Sequence, residues 1–194
     1  MFTGIVNHQG NISSTARNKL VVESELAKKL TVGDSISVNG ICLTVTEKYT
    51  DHFVVDFTPE TAAKTTILKL AAGDKVNLEL PATASTLLSG HIVQGHIDTT
   101  ASLIKIQKTG NARRLGFKIA EKFGRYIANK GSVAIDGISL TVSSVHGGEF
   151  TVHIIPHTWQ KTTLNKLRIG DDVNVEVDIL AKYIGKLSRR KHEA

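Results

Sequence analysis

The stretch Ser-Gly-His-Ile-Val-Gln-Gly-His-Ile-Asp-Thr-Thr, residues 89–100, gathers two histidines, His91 and His96, beside Asp98, Gly90 and Gly95. Such a set could grip a metal ion or move protons near neutral pH. The spacing disfavours a metal. On a strand, residues five apart fall on opposite faces, and no further histidine or cysteine has supporting spacing. Proton transfer remains. The single cysteine, Cys42, lies in an apolar run, where a thiol is either a small hydrophobe or a nucleophile. Ser139 and Thr141 alternate with Leu140, so they share one strand face as hydrogen-bond donors or as barrel filling. Asp136 precedes a glycine, a turn position that could also relay a proton. Asp178 follows the last strand and reads as a carboxylate supporting the site or as a helix cap.

These residues recur in a pattern. Ser35-Ile-Ser-Val-Asn-Gly-Ile-Cys-Leu-Thr-Val45 returns as Ser132-Val-Ala-Ile-Asp-Gly-Ile-Ser-Leu-Thr-Val142, an offset of 97 (132 − 35). The same offset relates Pro59-Glu-Thr to Pro156-His-Thr and Gly73-Asp-Lys-Val-Asn to Gly170-Asp-Asp-Val-Asn. Three blocks in one register mean a tandem duplication. The copies differ where chemistry is expected: Cys42 faces Ser139, Glu60 faces His157 and Asn39 faces Asp136.

Within each copy apolar and polar residues alternate over 35–39, 53–57 and 76–80, and over 150–154 and 173–177. That is the period of half-buried strands, punctuated by Asn-Gly, Asp-Gly and Gly-Asp turns. Short helices are expected over Glu25–Leu30, Thr61–Leu70 and Glu121–Asn129, and a terminal one over Ile179–Leu187. Short strands without exposed edges predict two small closed antiparallel β-barrels, divided near 91/92, with residues 179–194 as helix and basic tail.

Composition narrows the function classes. No apolar run approaches a membrane span, and the start lacks a secretory signal pattern. One cysteine suits a reducing compartment, with the cytoplasm as default. The net charge of +6 gathers in the tail and at Arg113-Arg114, the distribution of a solvated surface. No nucleic-acid recognition motif accompanies it, so neither nucleic acid nor membrane is an expected partner.

The opening Met1-Phe-Thr-Gly-Ile-Val6, the Asn39–Val45 block, Gly90-His-Ile-Val-Gln-Gly-His-Ile-Asp98, the Lys130–Val142 block and Ile155-Pro-His-Thr158 together resemble the alpha-subunit type of riboflavin synthase. The resemblance runs in order from residue 1 to about 187. It implies an all-β fold of two tandem six-stranded antiparallel Greek-key barrels with a C-terminal α-helix. It implies a homotrimer with active sites between subunits, and leaves open an association with lumazine synthase. The implied reaction is a dismutation of two 6,7-dimethyl-8-ribityllumazine molecules to riboflavin and 5-amino-6-ribitylamino-uracil, without metal or organic cofactor. The alternative is a non-catalytic lumazine- or flavin-binding antenna protein, which keeps the barrels but loses polar residues from one pocket.

Carried over by position, the resemblance implies a first pocket of Gly4, Ile5, Val6, Cys42, Leu43, Thr44 and the stretch Asp56, Phe57, Thr58, Pro59, Glu60 and Thr61. The second would use Gly95, His96, Ile97, Ser139, Leu140, Thr141, Ile155, Pro156, His157, Thr158, Trp159 and Gln160, with Lys130 reaching in from another subunit. Cys42, His96, Ser139, Thr141, Asp136 and Asp178 are the implied catalytic set, whereas His91 reads as structural at the barrel junction. The family's arginine after the Val-Asn-Leu-Glu strand is replaced by Leu80, which bears on a subunit contact rather than a pocket. A short terminal helix ending in Ser188–His192 predicts a weaker trimer.

Overall fold

A computed structural model describes residues 1–189; Arg190, Lys191 and His192 of the basic tail lie outside the described residues. Twelve strands form two closed six-stranded barrels. The first comprises β1 (His8–Ala16), β2 (Lys19–Glu23), β3 (Ser35–Val38), β4 (Ile41–Lys48), β5 (His52–Asp56) and β6 (Lys75–Glu79), in the cyclic order β1-β2-β5-β4-β3-β6. The second repeats that order with β7 (Thr99–Thr109), β8 (Ala112–Ile119), β9 (Ser132–Ile135), β10 (Ile138–His146), β11 (Glu149–Ile154) and β12 (Asp172–Val177). The alternating stretches noted in the sequence did not include β1, β2, β7 and β8, and β7 leaves the apolar Ile104 exposed. Closure satisfies both edges of each sheet and leaves no strand free to pair with another chain.

The internal helices are shorter than their apolar periodicity suggested, whereas the terminal one runs two residues beyond the expected Leu187. Residues 25–29 form a 3-10 turn capped by the Ser24 hydroxyl, which accepts the Leu26 N–H. The expected helix from Thr61 splits into α1 (Pro59–Lys64) and a 3-10 turn over Ile67–Lys69. Thr65 and Thr66 interrupt it, and the Thr65 hydroxyl bonds back to the Thr61 carbonyl at 2.7 Å. α2 spans only Glu121–Gly124, α3 spans Pro156–Lys161 and α4 spans Ile179–Arg189.

Each barrel encloses its own core: Leu20, Val22, Ile36, Phe53 and Leu78 in the first, and Leu103, Phe117, Val133, Phe150 and Val175 in the second. Two exceptions cross over. Val6 belongs to the core of the second barrel, and Ile97 packs against the core of the first. The segments that lead into the two barrels therefore exchange places. They pair with each other where they cross, through an antiparallel bridge between Phe2 and Val93.

The barrels join along a pseudo-two-fold seam built from the turns β3–β4 and β9–β10. Asn39 (φ 45°) and Gly40 (φ 78°) match Asp136 (φ 44°) and Gly137 (φ 80°), the tight hairpin turn that Asn-Gly and Asp-Gly favour. Asn39 Oδ1 accepts the Asn77 N–H at 2.7 Å, and Asp136 Oδ1 accepts the Asn174 N–H at 2.8 Å. Across the seam the Asn77 amide donates to the Asp136 carbonyl at 3.0 Å, and the Asn174 amide donates to the Asn39 carbonyl at 2.9 Å. A Cβ on Gly40 would lie 2.5 Å from the Gly137 nitrogen, so glycine is what lets the turns touch.

Candidate active site

The crossed leading segments shape two related pockets. In each barrel a buried glutamate at the end of a strand grips the backbone of the arriving segment. Glu79 accepts the N–H groups of Thr3 at 2.7 Å and Gly4 at 3.0 Å, and the Thr3 hydroxyl at 2.7 Å. Glu176 accepts the N–H groups of Gln94, Gly95 and His96 at 2.7, 2.8 and 3.1 Å. Burial pushes both carboxyls above their ordinary range, while these N–H donors pull them back down. Neither glutamate was anticipated, although each ends the alternating Val-Asn-Leu-Glu or Val-Asn-Val-Glu run whose inward apolar residues are plain in the sequence.

Held this way, each segment lies against the opposite copy's β4 or β10. The Cys42 N–H donates to the Gly95 carbonyl at 2.9 Å, and the Ser139 N–H donates to the Gly4 carbonyl at 2.8 Å. Both glycines have positive φ, 80° and 75°. A Cβ on Gly95 would fall 2.5 Å from Cys42 Cβ, and one on Gly4 would fall 2.6 Å from Ser139 Cβ. The expected allotment is thus reversed. Gly95, His96 and Ile97 belong with Cys42 in the first pocket, and Gly4, Ile5 and Val6 belong with Ser139 in the second. Offsets within the repeat could not show this, because the exchange is a property of how the copies dock.

The first pocket is a cavity of about 230 Å³ lined by Ile41, Cys42, Glu60, Thr61, Lys64, Thr65, Gly95, His96 and Ile97. Three elements build it: the start of β4, helix α1 and the crossed segment. The Thr58 hydroxyl caps α1 by accepting the Thr61 N–H, and Pro59 starts the helix, which points Glu60 and Thr61 at the opening. Glu60 meets Lys64 one turn on, at 2.6 Å. That partner lowers the Glu60 carboxyl and raises the Lys64 amine. Thr44 faces outward, Leu43 fills the barrel, and Phe57 is buried beneath the helix.

The second site is organised around Ser139. Ser139 and Thr141 point outward while Leu140 is buried, as their alternation predicts. His91 Nδ1 sits 2.7 Å from Ser139 Oγ, and burial holds the imidazole below its ordinary pKa against the opposing pull of Asp178. The expectation that the two histidines lie on opposite faces of one strand is corrected. Apart from the bridge at Val93, residues 90–97 follow an irregular path, and each histidine serves a different pocket. His91 was read as structural at the barrel junction; it lies there in direct contact with Ser139. The signal was present as Gly90-His91, since a Cβ at Gly90 would collide with the Thr3 carbonyl and crowd the Ser139 hydroxyl. Among the described residues, no three His, Cys, Asp or Glu side chains cluster as metal ligands.

α3 carries Pro156, His157, Thr158, Trp159 and Gln160, with Ile155 exposed just before it, and Pro156, Trp159 and Gln160 line a cavity with Arg113 to which neither Ser139 nor His91 contributes. Arg113 stacks 5.6 Å from the Trp159 ring centre beside this open cavity of about 410 Å³. Lys130 occupies a left-handed conformation (φ 65°) at the position where the first copy has Gly33 (φ 95°). A lysine kept in a glycine conformation carries backbone strain, and its side chain is exposed. Asp178 Oδ1 caps α4 by accepting the Leu180 N–H at 2.9 Å. Asp136 is apart from these groups. It is fully buried at the seam, where burial pushes its carboxyl up to about 7.

Duplicated barrels with paired, differently furnished pockets define a class, and the lumazine binding domain model matches residues 3–81 and 94–178. Riboflavin synthase of Schizosaccharomyces pombe is 40% identical over 194 residues, covering 96% of this chain and 93% of the relative. Riboflavin synthase of Mycobacterium bovis is 38% identical over 200 residues, covering 97% and 98%. Among solved structures, LumP complexed with riboflavin superposes with a TM-score of 0.85 at 26% identity, covering 91% of this chain and 99% of that one. The chain belongs to the riboflavin synthase family, whose enzymes are transferases.

Proposed function

We propose that the chain converts two molecules of 6,7-dimethyl-8-ribityllumazine into riboflavin and 5-amino-6-ribitylamino-uracil by moving a four-carbon unit between them. The observation that carries this reading is the pair of repeat-related positions with unlike polar groups, Cys42 lining a cavity with Gly95 and His96 in the first copy, and Ser139 against Gly4 and bonded to His91 in the second. Two copies of one reactant need two cradles of the same shape, whereas a donor and an acceptor need different side chains. Holding two planar reactants in register can supply roughly 7–11 kcal/mol of the barrier. Positioned acids and bases add about 10²–10⁴-fold.

In this reading the crossed segments and the starts of β4 and β10 bracket each ring with backbone groups, while Glu60, Thr61, His157 and Thr158 meet the polyol chain. Ser139, hydrogen-bonded to a largely neutral His91, moves the methyl proton of one lumazine, with Asp178 nearby to steady the imidazolium. Cys42 or a water beside His96 adds to the other ring. Thr141 orients substrate from the outward face of β10. For Asp136 the bond that its Oδ1 accepts from the Asn174 N–H at the seam supports a structural role in place of the proton relay.

The productive pair forms between pockets of neighbouring chains in a homotrimer. Leu180, Tyr183, Ile184 and Leu187 support this: they recur at helical spacing along α4 and are 58–65% exposed. Lys130 then reaches into a neighbour's site. The single cysteine supports a reducing, cytoplasmic setting. Incubation with the lumazine tests the whole reading. One riboflavin should appear for every two lumazines consumed; tight binding without turnover would instead identify an antenna.

A further inference from the structure

The segment carrying His96 has a second anchor that its counterpart in the first copy lacks. Glu176 holds its beginning, through the N–H groups of residues 94–96. Asp98 holds its end. One Asp98 oxygen accepts the Val177 N–H at 3.0 Å, the Asp98 N–H donates to the Val175 carbonyl at 3.0 Å, and the other oxygen accepts Lys182 Nζ at 2.7 Å. The Lys182 and Asp98 side chains are 26% and 17% exposed, so water screens this pair less than an ordinary surface pair. Lys182 lies in the first turn of α4, whose own start is tied down by Asp178.

In the first copy the crossed segment aligns through Gly4, against Ser139, with Gly95, against Cys42. Asn7 then stands where Asp98 stands, exposed, and Leu80-Pro81 follows the strand in place of a helix. The second anchor is therefore an addition specific to the second copy, and it hangs on the helix that bears the uncovered apolar stripe.

We propose that Lys182 and Asp98 are positioning residues that tie the seating of α4 to the placement of His96 in the first pocket. The proposal rests on the reaction above for its kinetic readout, but not for its structural one. A helix that shifts carries the lysine with it, releases one end of a five-residue segment and lets the His96 ring drift. Substrate still enters, because Cys42, Glu60 and Thr61 are held by other elements, whereas proton transfer loses its alignment.

Lys182→Met keeps the side-chain stem and removes the charge; Asp98→Asn keeps an acceptor for the Val177 N–H. Each should lower kcat roughly tenfold with KM and riboflavin affinity nearly unchanged, and the double variant should be no worse than either single one. In ligand-free protein, the His96 ring resonances should move in Lys182→Met while those of His52 stay in place. If both variants fold with wild-type kcat, or if the His96 signal is unmoved and losses track thermal stability, the proposal is overturned. A wild-type protein without turnover would reject the reaction alone, and the resonance experiment would still decide the coupling.

Discussion

Asp136, which the sequence offers as a turn residue or a proton relay, lies buried at the seam with its Oδ1 accepting the Asn174 N–H. Its pKa of about 7 is raised above the ordinary value of 3.8 because the charged form is buried. The folded protein thus holds a proton that the unfolded chain releases, and stability falls as pH rises from about 4 to about 7, then levels off. Asn39 accepts the equivalent N–H without any charge. Asp136→Asn should therefore flatten this dependence, gaining on the order of 1–3 kcal/mol over wild type at pH 8 relative to pH 5. Urea unfolding at the two pH values measures it, and parallel wild-type and variant curves would refute the assignment. Lys130 holds a left-handed conformation, and the proposed role in a neighbour's site would give its side chain a reason to be there. Lys130→Gly should hold or raise the thermal midpoint, since glycine accepts φ 65° without the cost of roughly 1 kcal/mol that a side chain bears there, yet lower turnover. Unchanged kcat would remove Lys130 from the site.

Among the elements, the crossed segments matter more than the helices. Their backbones lie so close to β4 and β10 that glycine is required at the contact. Gly95→Ala would put a Cβ within 2.5 Å of Cys42 Cβ and force a φ of 80° on alanine. The expected result is a displaced segment, a first pocket that no longer binds, and a loss of stability of about 1–3 kcal/mol. Fluorescence titration with riboflavin should then report fewer bound ligands per chain than wild type. Wild-type stoichiometry and affinity would mean that the segment does not form that pocket.

For the molecule as a whole, the proposed reading takes both cradles from two barrels in one chain, while an apolar stripe on α4 has nothing over it among the described residues. Covering such a face releases roughly 25 cal/mol per Å². Ile184→Asp should split the assembly into monomers by sedimentation and reduce turnover with it. A monomeric wild type with full activity would refute pairing across subunits. Leu80, where the family pattern has arginine, packs against the first core.

The duplication, the strands flanking each hairpin and the polar pair at Cys42 and Ser139 were legible in the chain itself, because they rest on local alternation, on Asn-Gly and Asp-Gly turns, and on an exact repeat. The strands β1, β2, β7 and β8 were not, although Leu20 and Val22 in β2 and Leu115, Phe117 and Ile119 in β8 turn inward at alternate positions, because no turn signal as plain as Asn-Gly or Asp-Gly frames them. Tertiary structure alone decided which leading segment faces which barrel, that His91 bonds to Ser139, and that Asp136 closes a seam. Those outcomes depend on how two similar copies dock, and copies alike enough to share a fold carry no local mark of whose pocket each segment completes.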